Sequence, residues 1–233
     1  ILVIAVPLLV ILLFLVQFMR ERHAEVEQSE LLAPAVTVAR TASVIVHELQ
    51  KERGASSGFL ASKGDPGFRD LLAKQRRLSD EVLSTWSAAR SAAEGVAGAT
   101  LMKARMADID AALARLATQP AAVDGQSLTQ PQAVAFYTGV IEAMIGLSAD
   151  VVDLIKAPTL ISDMHAYRYM LLSKEKAGLE RAIGSALFAE GAFNPDRYRG
   201  YLQTVDQQNA FLGEFQTFSR PEFRSMAAQA LKG

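Results

Sequence analysis

The sequence predicts an all-α protein built from long antiparallel helices. Three observations carry that prediction. Past its first twenty residues the chain is rich in Ala, Leu, Glu and Arg and poor in the alternating apolar pattern of strands. Gly and Pro punctuate it only at intervals of roughly 20 to 35 residues, which leaves long helices between short connections. Helices of that length joined by short turns must run up and down beside one another to bury their apolar stripes.

The first element is the stretch "ILVIAVPLLVILLFLVQFM", interrupted only by Pro7 and Gln17. Nineteen such residues span roughly the 30 Å of a bilayer core. Residues 1–20 therefore read as a transmembrane helix contacting lipid through residues 1–19, followed by a juxtamembrane helical linker over 21–31 and a sensor domain over 32–233. A cleaved signal peptide is the rival reading, although no small-residue cleavage pattern precedes "RERHAEVEQ". Arg20, Glu21 and Arg22 form a mixed flank that does not set an orientation. The chain opens on Ile and stops at Gly233 with no terminal signature, and so reads as a piece of a longer protein.

A helix is predicted over 32–62, stopped at Gly64 and turned by Asp65, Pro66 and Gly67. The next runs from about 68 to 93, where Gly95 and Gly98 break it, and a third covers 100–117. "TQPAAVDGQSLTQ", residues 118–130, has loop composition and marks the midpoint. Pro131 then sits in a first helical turn, and the apolar helix that follows is ended or kinked by Pro158. A helix over 159–190 finishes at Gly191. Asn194 as cap, Pro195 and Asp196 start another that reaches Phe218, and Ser219 with Pro221 start a last one.

Two segments resemble each other: "HELQKERGASSGFLASKG" from His47 and "LERAIGSALFAEG" from Leu179. Aligned on Glu52-Arg53 and Glu180-Arg181, they agree at Ser57 with Ser185 and at Ala61 with Ala189. On a period of 3.6, Val38, Ala42, Ile45, Leu49, Arg53, Ser56 and Leu60 form one stripe, so Arg53 points inward. In the second segment the stripe Leu160, Met164, Tyr167, Leu171, Lys174, Gly178, Arg181, Ser185 and Phe188 competes with a face defined by Leu172, Leu179 and Ala186. The likeness between segments favours the face holding Arg181.

An inward arginine is costly unless something neutralises it. One solution is a crossed lock, Arg53 to Glu180 and Arg181 to Glu52, which binds nothing. The other turns the glutamates outward and lets the two guanidinium groups clamp a small planar oxyanion through paired N–H donors. Gly54, Ser57 and Ser185 beside the arginines remove bulk and add hydroxyl donors. Glycine within a helix costs up to about 1 kcal/mol against alanine, so Gly54, Gly58, Gly178 and Gly184 imply a packing or ligand reason.

The first segment, with "KEKAGLERAIGSALFAEG" from Lys174 and "FYTGVIEAMI" from Phe136, resembles the nitrate- and nitrite-sensing (NIT) domain, in the expected order from Leu32 to Gly233. The resemblance implies one or two stacked four-helix bundles with nitrate or nitrite held between helices by Arg53 and Arg181. It also implies a later return helix, truncated here, and a homodimeric bacterial receptor. With the apolar segment this gives the functional expectation: a periplasmic ligand-binding domain in the inner membrane, feeding a signalling module such as a methyl-accepting chemoreceptor. The alternative is a helical bundle with structural Glu-Arg locks that recognises a partner protein or another ligand.

No cysteine is present, which excludes disulfides and thiolate metal sites. Lys and Arg total 24 against 25 Asp and Glu, so no electrostatic reason for nucleic acid exists. His23, His47 and His165 lack the spacing of a metal or haem motif, and no cofactor is expected. Nothing resembles a nucleophile with its base or a phosphate loop, and no enzymatic activity is expected. "KQRRLSDE" reads as a solvated face and the tyrosines as core.

Overall fold

The computed structural model describes residues 2–96, 100–190 and 195–230, without the side chains of 2–12, 21, 22, 24, 25, 27–31 and 185–190. Among the described residues the regular elements are helices, in the order α1 Leu2–Ala61, α2 Pro66–Leu83, α3 Trp86–Ala93, α4 Thr100–Leu116, α5 Gln119–Asp124, α6 Gln130–Val152, α7 Pro158–Glu190, α8 Pro195–Phe218 and α9 Pro221–Ala230.

Local chemistry sets these boundaries. Gly64, at φ +90°, closes α1 by donating its N–H to the Phe59 carbonyl, a conformation that costs glycine little. The Asp65 carboxylate then caps α2 by accepting from the amides of Gly67 and Phe68 at 2.9 and 3.3 Å. Thr129 and Gln132 form a reciprocal capping box at the start of α6, with Pro131 in the first turn.

Two expectations are corrected. The helix predicted over 68–93 is broken at Ser84 and Thr85, whose hydroxyls donate to the carbonyls of Glu81 and Val82 at 2.6 Å and compete with the helical ladder. The predicted loop over 118–130 contains α5, because Pro120 supplies a first-turn proline and Val123 buries itself completely. Gly98, Gly191 and Asn194 lie outside the described residues.

The main core lies among α1, α3, α4 and α6. Val38, Ile45 and Leu49 of α1 meet Met102 and Ile109 of α4 and Tyr137, Ile141 and Leu147 of α6, each fully buried or nearly so. Each large apolar side chain there contributes about 1.5–3 kcal/mol by leaving water. The predicted α1 stripe is thus inward, Arg53 and Ser56 included. A smaller cluster of Ala55, Phe59, Leu72 and Val123 closes the far end of α1 against α2 and α5.

Helix α7 packs on α6 and α1 along one side and on α8 along the other. Its antiparallel register with α8 is read from three hydrogen bonds, Ser162 to the Phe218 carbonyl, Ser173 to the Gln208 carbonyl and Tyr201 to Glu180. The rings of His165, Tyr169 and Phe218 stack between these helices with centroids 5.2 to 6.4 Å apart.

At its other end α1 runs unbroken through the apolar N-terminal segment, where Leu13 to Met19 are exposed. Among the described residues, the helix long and apolar enough to cross a membrane is Gln130–Val152. Half of its apolar window is buried inside the bundle, as befits a core helix.

Candidate functional site

Arg53 is 1% exposed, and its guanidinium is neutralised by a partner the sequence did not suggest. Glu175, 0% exposed on α7, faces it edge to edge, with Nη1 to Oε1 at 2.5 Å and Nη2 to Oε2 at 3.1 Å. Gln50 donates a further hydrogen bond to Oε2 at 2.9 Å. Nη1 also donates to the Thr138 hydroxyl at 2.8 Å, and that hydroxyl in turn donates to the Val134 carbonyl. This is the fully partnered geometry that makes a buried ion pair tolerable.

The crossed lock is therefore not formed. Glu52, 4% exposed, accepts from the Tyr137 hydroxyl at 2.8 Å and stands 3.9 Å from Arg76. Burial first, and then the Glu52 charge, push the Tyr137 hydroxyl far above its ordinary pKa, so it remains a donor. Glu180 accepts from Tyr201 of α8 at 3.2 Å. The meeting of two arginines inside the bundle is likewise corrected. Arg181 is exposed, and so is Lys174, because the face α7 turns toward α1 carries Glu175 instead, while Ser173 is buried on the opposite flank against α8.

Arg181 nonetheless shares a cleft with the first segment. A cavity of about 650 Å³ lies between α1 and α7, bordered by α2 and by Gln130 of α6. Gly54, Ser57 and Gly58 of α1 and Gly178 and Arg181 of α7 line it, with Lys51 as a second cation. The Ser57 oxygen accepts from the Gln130 amide at 2.8 Å. Ser185 has no described side chain.

The glycines explain how this cleft and its buried arginine coexist. A β-carbon at Gly178 would stand 2.9 Å from Arg53 Nη2, so the missing side chain is what admits the guanidinium. At Gly58 a β-carbon would meet the Phe68 ring at 2.5 Å, so that glycine lets Phe68 close over the cleft. Gly54 has nothing within 4 Å and opens directly onto the space. Gly178 thus separates the cleft from Arg53 by no more than backbone.

Positive charge gathers at the mouth. Lys174 Nζ lies 2.9 Å from His47 Nδ1, and Lys51 and Arg181 act on both groups. Burial, reinforced by those cations, lowers the pKa of His47 and of Lys174 alike. Glu48 opposes them, and its own pKa is lowered: burial alone would raise it, but hydrogen bonds from Gln75 and Lys51 prevail. No group of three or more His, Cys, Asp or Glu among the described residues could hold a metal.

The family described as nitrate and nitrite sensing matches residues 45–233. A nitrate regulatory protein of Klebsiella oxytoca is 30% identical over 212 residues, 91% of this chain and 53% of that protein. The solved structure of the NasR transcription antiterminator aligns with a TM-score of 0.84 at 28% identity, covering 92% of this chain and 58% of that one. The chain spans about half the length of these relatives. Their descriptions, a nitrate regulatory protein and a transcription antiterminator, overturn the expectation of an extracytoplasmic chemoreceptor domain and, with it, the periplasmic placement in an inner membrane. Charge balance was also too narrow a ground for excluding nucleic acid, since one relative acts in transcription.

Proposed function

Because the chain belongs to the nitrate- and nitrite-sensing (NIT) family, we propose that it is the anion-sensing module of a regulatory protein, taking nitrate or nitrite at the cleft between α1 and α7. The observation that carries this reading is the position of Gly178. It puts the buried Arg53 fork directly behind a cleft that Arg181 and Lys51 already line with positive charge. A planar oxyanion suits guanidinium donors, and Ser57 adds a hydroxyl at the same wall. The donors and positive charge of the arrangement suit a sensing role.

Titration calorimetry with sodium nitrate and nitrite tests it. Binding to the wild-type protein that weakens at least about tenfold in Arg181→Ala, with the fold intact, supports the reading. Folded wild-type protein that takes up neither anion rejects it. One observation favours a second reading, in which the bundle is rigid and recognises something else: the Arg53 charge is already answered by Glu175. That reading gains if anion binding is indifferent to Arg181.

A further inference from the structure

We infer that Glu175 is a tethered competitor for the anion site, a carboxylate that occupies the Arg53 fork and must leave it when nitrate or nitrite binds. The inference rests on the proposed anion-sensing function and adds to it the residue that sets affinity.

A carboxylate presents two oxygens in one plane with one negative charge, and nitrate or nitrite presents the same edge with the same charge. Glu175 uses both of its oxygens on the two terminal nitrogens of Arg53, so an anion seeking that fork finds it filled. Thr138, by contrast, holds Nη1 from α6 through a hydroxyl whose proton is committed to the Val134 carbonyl. The guanidinium therefore keeps an anchor that does not depend on Glu175.

An exit for the carboxylate adjoins it. Lys174 is the neighbouring residue and already feels the Glu175 charge, and Lys51 and His47 crowd the same spot from α1. The Lys174 and Lys51 charges repel one another there. A carboxylate turning toward them would relieve that repulsion while a free anion takes its place on Arg53, leaving the interior charge unchanged. Gly178 lies three residues from Glu175 on α7, so the incoming anion and the outgoing side chain pass on one flank of a single helix.

Nitrate titration of wild-type, Glu175→Gln and Gln50→Ala proteins decides the matter, each first checked for cooperative thermal unfolding. The amide keeps the shape and removes the charge, so Glu175→Gln is expected to bind nitrate at least about tenfold tighter than wild type. Gln50→Ala removes one of the hydrogen bonds that hold the carboxylate in place and is expected to tighten binding by a smaller factor, which serves if Glu175→Gln does not fold. In Glu175→Ala the emptied fork should accept formate in competition with nitrate. Unchanged or weaker nitrate binding in folded Glu175→Gln or Gln50→Ala, against a wild type that binds, overturns the inference and leaves the anion-sensing function standing. No binding in any of the proteins overturns both.

Discussion

Arg53 Nη2 occupies the space beside the bare α-carbon of Gly178, 2.9 Å from where a β-carbon would be. Helix α7 carries an expensive residue so that α1 can carry a buried cation. Gly178→Ala gains up to about 1 kcal/mol of helix propensity but forces a pinned guanidinium aside, at an overpacking cost of about 1–3 kcal/mol. A net loss of about 1 kcal/mol is expected by urea denaturation. Gly54→Ala is the control. Its β-carbon meets nothing within 4 Å, so the same propensity gain should appear as added stability.

Truncating Arg53 strands Glu175 as an unpaired charge at 0% exposure. Arg53→Ala is expected to cost about 3–5 kcal/mol of folding stability. Removing both partners in Arg53→Ala with Glu175→Ala should recover part of that loss, because no isolated charge remains. Equilibrium unfolding of the two single variants and the double variant measures the coupling, and a double variant less stable than Arg53→Ala would contradict it.

Tyr137→Phe removes the short hydrogen bond to Glu52 without changing the packed ring. Glu52 would keep only Arg76, at 3.9 Å. A loss of about 1.5–3 kcal/mol is expected, the range for a buried bond to a charged acceptor. Denaturant midpoints of the two proteins supply the comparison.

His47 gives a prediction in pH. Its pKa is lowered, by burial first and then by Lys174, so the folded protein binds its proton less readily than the unfolded chain. The stabilising contribution is complete above the ordinary histidine value and is lost as pH falls through the lowered one. His47→Ala should flatten that part of the stability profile. An anion bound in the cleft offsets part of the positive field of Lys174, Lys51 and Arg181, so the His47 ring protons should titrate at higher pH in nitrate than in chloride, as followed by NMR.

Much of the fold was legible because its signals are local. Pro131, Pro195 and Pro221 in first turns, Gly64 in a left-handed conformation and the α1 stripe from Val38 to Ser56 are decided within a few residues, and each is where the pattern put it. The pairing of Arg53 was not legible. Glu175 lies between two lysines and off the stripe predicted to face inward, and only the crossing of α7 over α1 turns it toward Arg53. The likeness between the two Glu-Arg segments pointed the wrong way for the same reason. Arg53 is surrounded on three sides by α1, α6 and α7, whereas Arg181 sits on the rim of a helix that shares its flanks between two neighbours. Glu52 likewise found Tyr137, a contact across 85 positions of chain.

Helix α7 holds the Glu175 carboxylate on one flank while its other flank is pinned to α8 through Ser162, Ser173 and Glu180. A rod fastened on both sides passes a shift on one to the other. A displacement of α7 near Arg53 would thereby be carried to α8, across the helix from the cleft.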